Sequence, residues 1–387
     1  MRKSILGDVC VLDRKQAPFD LIISKDSPYV GMENVSGRDG VITLGDGSRT
    51  GDGKSTVFRF TSEHVLFGKL RPYLKKIAVP EFEGGCSTEL VPLRPDKAKL
   101  DRKYLYHWLR RDSLISHLMG KNTGARMPRA DMNVLLAQEI PLPPLEEQRR
   151  IVALLDRAAE IRRRAGATRE KVPTIVPALF VDMFGDPATN PRGWEMVELS
   201  QVADVSSGIT KGRKLKDAVV FRAPYMRVSN VQDGRLDLSE VKMIDAVDRD
   251  LARYKLEAGD LLMTEGGDPD KLGRCAIWNN EVQDCLHQNH VFRVRVDRTQ
   301  LLPAYAATLI GSAYGKSYFL KVAKRTTGIA SINKTQISAF PMLLPPIDLQ
   351  REFEVRAGIS NKLETLVGSV EAKAANTLTA LSAEVFP

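Results

Sequence analysis

The chain is poor in the features that announce an enzyme. Its 387 residues contain only four cysteines and five histidines. Cys10, Cys86, Cys275 and Cys285 lack the close, regular spacing of a disulfide framework, so a reducing compartment is expected. No nucleophile elbow, HExxH helix, paired-carboxylate nuclease signature or dinucleotide fingerprint occurs. The N-terminal stretch MRKSILGDVCVLDRK is interrupted at Asp8, too early for a signal-peptide core or a membrane helix. These absences lead to the expectation of a cytoplasmic protein that needs no cofactor. Two partial motifs are weighed against that. Gly53, Lys54 and Ser55 imitate the end of a phosphate-cradling loop, but Ser48 stands where that loop needs its first glycine, so a flexible loop is the simpler reading. Cys275, Cys285, His287 and His290 are metal-ligand types without paired short intervals, and a core strand with polar edges explains them better than zinc.

Present instead are enough apolar residues for real cores (43%, with 27% charged) and a formal charge of +9, which suits a polyanionic partner. The organising feature is a repeat. PLPPLEEQ at 141–148 returns as LLPPIDLQ at 343–350, and the same offset of 202 residues carries Ala178, Leu179 and Phe184 onto Ala380, Leu381 and Phe386. The chain therefore reads as globule, helical segment, globule, helical segment.

In the first globule, short apolar runs at Phe19–Ile23, Val57–Phe60, Val65–Leu70 and Ile77–Val79 predict strands, and Tyr104–Met119 a closing helix. Asp131 is a plausible N-cap for a short helix after a basic Thr-Gly loop. Pro143 and Pro144 break the chain, and Leu145–Glu170 has helical spacing at Ile151, Leu154, Leu155, Ala158 and Ile161. Such a helix would span roughly 39 Å. Pro173 and Pro177 kink or end it.

The second globule follows the same order. YMRVSNV at 225–231 matches YVGMENV at 29–35, GDLLMT at 259–264 is set against HVLFGK at 64–69, and Cys285 stands close to the place of Cys86. KRTTGIASINKTQIS then repeats the basic loop. In the C-terminal helix, Ile359, Leu363, Leu366, Val367, Val370, Ala374, Leu378, Leu381 and Val385 keep a three-four spacing suited to coiled-coil packing against the first long helix.

Cations recur beside equivalent turns. They are Lys69, Arg71, Lys75, Lys76, Lys121, Arg126 and Arg129 in the first copy, and Lys211, Arg213, Lys214, Arg227, Lys271, Arg274, Lys324, Arg325 and Lys334 in the second. Any one is explained by a solvated surface; their recurrence suits phosphate contact. Asn34, Asn230, Gln288 and Asn289, with Arg126, Arg129 and Arg274, carry the planar groups that base reading uses.

The order of two dissimilar β-rich globules, each followed by a PLPPLEEQ-like break and a long helix, resembles the specificity (S) subunit of type I restriction-modification systems. VLFGKLRPYLKKIAVPEFEGGCSTELVPLRP, GDLLMTEGGDPDKLGRCAIW, CLHQNHVFRVRV and ALFVDMFGDP add to the likeness. The resemblance implies an α+β fold with a pseudo-twofold internal repeat. Two target recognition domains (1–140 and 188–342) would be separated by two long antiparallel helices (141–187 and 343–387) packed as a coiled coil. It implies no catalysis in this chain. Double-stranded DNA would be read as a bipartite, asymmetric target. Two modification subunits, and through them restriction subunits, would dock on the helices, with Gln148, Arg149, Arg162, Arg163 and Gln350 as expected contacts; no membrane is involved. Half-sites one DNA turn apart lie roughly 34 to 36 Å from centre to centre, close to the helix length. The alternatives kept open are a metal- or nucleotide-dependent nuclease and a helical scaffold that binds protein only.

Overall fold

The computed structural model describes residues 2–14, 27–45, 56–120, 127–213, 219–267, 271–326 and 329–386, without the side chains of 325, 326 and 329. The chain divides into two compact units, residues 1–168 with 367–387, and residues 169–366. Both units absorb part of each long helix, so the cut falls inside the helices and not before them.

Unit 1 is built on an antiparallel four-stranded sheet in the order Cys10–Leu12, Leu90–Pro95, Val65–Gly68, Ile77–Ala78. A smaller sheet holds Gly84–Ser87 between Tyr29–Val30, in parallel, and Val57–Phe60. Lys3–Ile5 pairs with Glu139–Pro141. The predicted helix over Tyr104–Met119 is two helices, Arg102–Leu109 and Asp112–Met119. Asp101 caps the first, accepting from the backbone N–H groups of Lys103 and Tyr104, and Asp131 caps Met132–Leu136 as expected.

Unit 2 has the corresponding sheet in the corresponding order: Ala203–Ser207, Val291–Val296, Leu261–Thr264, Cys275–Ile277. Its second sheet again contains a parallel pair, Phe221–Met226 with Leu286–His287, but adds Lys242–Ala246 on the other edge. Glu195–Glu198 pairs with Pro341–Leu344. The helical segment at the corresponding place is again a broken pair, Pro303–Gly311 and Ala313–Val322.

The long helices are Leu145–Lys171 and Ile347–Val385; a 3-10 turn at Val172–Thr174 and a further helix, Ile175–Phe184, follow the first at the two prolines. The repeat explains how each unit closes. In unit 1, Ile151, Val152 and Leu155 at the start of the first helix join the core with Leu378, Leu381, Val385 and Phe386 from the end of the second. In unit 2, Phe353 and Ala357 at the start of the second helix join Phe180 and Phe184 from the segment after the first. Phe386 meets Tyr104 edge-on with centroids 5.0 Å apart, and Phe184 meets Tyr305 at 4.8 Å. Each of these tyrosines donates a 3.0 Å hydrogen bond to a backbone oxygen of the Pro-Pro approach, Pro141 and Leu343 respectively.

The two glutamines of the repeat have a structural task. Gln148 is fully buried. Its Nε2 donates to Lys99 O and Pro143 O and its Oε1 accepts from Asp101 N–H, each at 2.8 Å. Gln350, equally buried, donates to Gln300 O and Pro345 O and accepts from Leu302 N–H, at 2.9–3.0 Å. Each amide fastens the first turn of a long helix to the N-terminus of the first helix of the broken pair. The expectation that Gln148 and Gln350 contact a partner is therefore corrected, since neither amide reaches the surface. The anticipated apolar stripe is also interrupted: Leu154, Ile161, Ile359, Leu363, Leu366 and Val370 are exposed, while Ala158 and Ala374 are buried.

Candidate nucleic-acid interface

In unit 1 the strand Val65–Gly68 runs on into Lys69–Lys75, whose backbone is tied on both sides. Lys69 N–H donates to Glu89 O, Ala130 N–H donates to Lys69 O, and Arg71 N–H donates to Pro128 O, at 2.8–2.9 Å. Arg71 and Lys75 bracket a short 3-10 turn, Pro72–Leu74, and both have left-handed backbones with φ of 49° and 48°. Such conformations in non-glycine residues cost about 1 kcal/mol each and gather at ligand-binding loops. Tyr73 and Met127 project from this edge, each about half exposed (51% and 53%). The result is a rigid cationic ledge with apolar flanks, formed by Lys69, Arg71 and Arg129.

Unit 2 builds the same ledge. Glu265 N–H donates to His290 O, Ile332 N–H donates to Glu265 O, and Gly266–Gly267 pairs with Ala330–Ser331. Lys324–Thr326 completes a hairpin with Ile329–Ser331. This pattern shifts the expected alignment by one residue. Thr61 N–H donates to His64 Nδ1 at 3.0 Å as Glu257 N–H donates to Asp260 Oδ2 at 2.7 Å, so His64 corresponds to Asp260 and Lys69 to Glu265. The residue identities are too few to reveal that register.

The anticipated contact residues differ in exposure and in their protein partners. Arg71 is exposed in unit 1, and Lys211, Lys324 and Lys334 in unit 2; Lys69 and Lys271 are half-buried. Lys75 pairs with Asp112 at 2.6 Å, Lys76 donates to Met32 O, and Arg129 lies along Glu89 at 3.1–3.3 Å. Arg227 donates to Glu240, through both its backbone oxygen and its carboxylate, and Arg274 to Gln232 Oε1 at 2.7 Å. Lys121, Arg126 and Lys214 lie outside the described residues, as do the side chain of Arg325 and residues 46–55 with their phosphate-loop-like sequence.

Arg213 is corrected most clearly. Its guanidinium binds both carboxylate oxygens of Asp250, which is only 2% exposed and also accepts from Val247 N–H. The hydrogen bonds from Arg213 hold the Asp250 carboxyl below the usual carboxylate range. Arg213 thus neutralises a buried charge and is not a spare cation.

Asn34 and Asn230 are likewise removed from base reading. Asn34 accepts from Gly31 N–H and donates to Thr43 O; Asn230 accepts from Arg227 N–H and donates to Asp237 O and Glu240 O. Both pin the loop that follows the first strand of the small sheet. Gln288 and Asn289 are half-buried, and Asn289 Nδ2 lies 3.1 Å from His290 Nε2.

Among the described residues no set of three His, Cys, Asp or Glu side chains could hold a metal ion. His287 is buried with Nδ1 2.6 Å from Val291 O, and burial pushes its pKa down to about 4. All four cysteines are buried as thiols, and burial raises the pKa of each.

Of the expected partner contacts on the first long helix, Arg149 is exposed, while Arg163 forms a two-pronged pair with Glu160 at 2.7 and 2.8 Å. Arg162 and Arg163 line a cavity of about 510 Å³ in unit 1 with Lys75, Arg110, Arg111 and Phe386. Sequence reasoning missed the Glu265–His290 pair, Tyr73 and Met127. The sequence alone gives no sign that residues 265 and 290 adjoin.

Residues 1–164 match the family model described as the type I restriction modification DNA specificity domain. The chain is 25% identical over 181 residues to the putative type I restriction enzyme MjaX specificity subunit of Methanocaldococcus jannaschii, covering 46% of this chain and 41% of that one. Over 387 aligned residues it is 23% identical to the EcoKI specificity subunit of Escherichia coli strain K12, covering 95% of this chain and 78% of the relative. The chain thus spans about two fifths of the first relative's length and about three quarters of the second's. Two solved structures share the fold. One was described for complex assembly and conformational transition of the type I R-M system, with a TM-score of 0.59, 22% identity, and 100% and 97% of the two chains covered. The other, the type I restriction-modification S subunit from M. genitalium, has a TM-score of 0.57, 14% identity, and 100% and 96% covered. The first 164 residues are accordingly similar to the type I restriction modification DNA specificity domain, and the chain as a whole is similar to the specificity subunits of type I restriction enzymes.

Proposed function

We propose that this chain is the non-catalytic DNA-recognition subunit of a type I restriction-modification complex, each compact unit reading one half of a bipartite, asymmetric duplex target. The observation that carries this reading is the ledge built twice on one backbone hydrogen-bond pattern but furnished with different side chains: Lys69, Arg71 and Arg129 in one unit, and Glu265, Gly267 and Ser331 in the other. A shared scaffold with unlike readers suits two unlike half-sites. Arg71, Lys211, Lys324 and Lys334, all exposed, supply phosphate contacts, which set affinity and register. Lys75, Lys76, Arg129, Arg213, Arg227 and Arg274 already have protein partners and chiefly hold the loops in shape.

Two modification subunits, and through them restriction subunits, dock on the long helices. The exposed apolar residues Leu154, Ile161, Val355, Ile359 and Leu366, with Arg149 and Arg162, support that role. The same helices are the length-setting element between half-sites, and the complex works in the cytoplasm. The test is selection from a randomised duplex library by the chain with its modification subunits, at fixed salt because phosphate contacts make affinity salt-dependent. A split motif is expected; equal recovery of all duplexes would end this reading.

A further inference from the structure

The two ledges are superimposable in hydrogen bonding and opposite in charge at one position. Lys69 and Glu265 each donate a backbone N–H to the strand residue beside them, Glu89 or His290, and accept one from the chain after the Thr-Gly loop, Ala130 or Ile332. Unit 1 therefore presents an ammonium where unit 2 presents a carboxylate. Glu265 is a third exposed and is oriented by its neighbour: His290 Nδ1–H donates to the carboxylate, and Asn289 Nδ2 donates to His290 Nε2 at 3.1 Å. A carboxylate accepts hydrogen bonds and donates none, so it fixes the tautomer of His290, and its acceptor capacity exceeds this one bond. A carboxylate set among phosphates is repelled by them. The direct hydrogen-bond partner that DNA offers it is a base-edge donor, and in the major groove the donors are the exocyclic amino groups of cytosine and adenine.

We propose that Glu265, positioned by His290 and Asn289, is a specificity-determining acceptor of unit 2 directed at the exocyclic amino group of a cytosine or adenine, at the place where unit 1 directs Lys69 toward base-edge acceptors. This rests on the DNA-reading function proposed above and names one residue that executes it. The recognition is directional: the unit 2 half-site contains an amino-bearing base at this position and the unit 1 half-site a guanine or thymine.

The test compares wild type with Glu265→Lys, Glu265→Gln and His290→Ala, each as the full chain with its modification subunits, in the same duplex selection at fixed salt. Glu265→Lys is expected to exchange the preferred amino-bearing base for guanine or thymine at one position, changing the ratio about ten- to a hundredfold. Every other position, including all of the other half-site, stays as in wild type. Glu265→Gln, which keeps shape and one acceptor, moves the preference toward adenine, and His290→Ala blunts it at that same position without loss elsewhere. The base selected at the affected position separates cytosine from adenine. An unchanged motif with Glu265→Lys overturns the proposal, as does a loss spread over both halves. A wild-type complex that selects no split motif overturns the DNA-reading function itself. Hydrogen exchange across 261–296 shows whether each variant keeps the fold, and His290→Ala decides the matter if the Glu265 variants do not.

Discussion

Replacing Gln148 should loosen unit 1 without touching any surface that a partner could meet. The side chain fills three hydrogen bonds of 2.8 Å, and truncation to alanine leaves Asp101 N–H, Lys99 O and Pro143 O without it. Two of these groups are partly open to water and can be rehydrated, costing about 1 kcal/mol each; the enclosed Pro143 oxygen costs about 2, for about 4 kcal/mol in all. Gln350→Ala should cost slightly more, about 5 kcal/mol, because both Leu302 N–H and Pro345 O are enclosed. The sharper variant is Gln148→Glu, which keeps the shape and places an oxygen against the oxygens of Lys99 and Pro143. It should be worse than alanine, since the buried carboxylate is repelled or must protonate and then serve one oxygen only. Hydrogen exchange with mass spectrometry over denaturant resolves the effect by region. Gln148 variants should lose protection at 99–109 and 140–155, and Gln350 variants at 300–311 and 341–357. A loss below about 1 kcal/mol for Gln148→Ala, or a Gln148→Glu variant milder than alanine, would refute the reasoning.

Other perturbations follow from the same geometry. Arg213→Ala leaves the Asp250 carboxylate buried and unpaired, so unit 2 should lose about 3 kcal/mol; Asp250→Asn in that background should restore part of it by removing the charge, as denaturant melts would show. Because the folded-state pKa of Asp250 is depressed, its contribution is present at neutral pH and lost as pH falls through the acid range. His287 adds to this with the same sign. Its folded-state pKa is about 4 against about 6.5 in the unfolded chain, so the unfolded form binds an extra proton between these values. Unit 2 stability should therefore fall by about 1.4 kcal/mol per pH unit across that window, and His287→Gln should flatten the dependence. Phe386→Ala removes the ring that meets Tyr104 and Arg111 in unit 1, and Phe184→Ala the ring that meets Tyr305 in unit 2. Each should cost about 3 kcal/mol, confined to its own unit by exchange. In DNA binding, Arg71→Ala should lower the slope of log affinity against log salt by about 1; Arg129→Ala should lower it less, because Glu89 already neutralises that guanidinium.

Much of this was legible in the residues. The 202-residue repeat, the Pro-Pro break, the helix beginning at Leu145 and the Asp131 cap are local signals, carried by backbone chemistry over a few positions, and they hold in the structure. Of the strands expected from short apolar runs, those at Val57–Phe60, Val65–Leu70 and Ile77–Val79 are present, as Val57–Phe60, Val65–Gly68 and Ile77–Ala78, and Phe19–Ile23 lies outside the described residues. The sequence by itself thus determined that the chain is duplicated, mixed α and β, cationic and stocked with loop cations.

What it could not determine is which polar groups are already engaged. Gln148 and Gln350 look like surface amides on an exposed helix turn, and Arg213 and Asn230 like free readers, because burial and partner choice depend on residues 37 to 50 positions away or on a loop that folds back. The one-residue correction that sets Glu265 over Lys69 is of the same kind. Register is fixed by backbone hydrogen bonds between distant strands, which leave no mark on side-chain identity when the two copies share so few residues. Only the tertiary structure decided that the repeated glutamine is an internal fastener and that two matching ledges carry opposite charge.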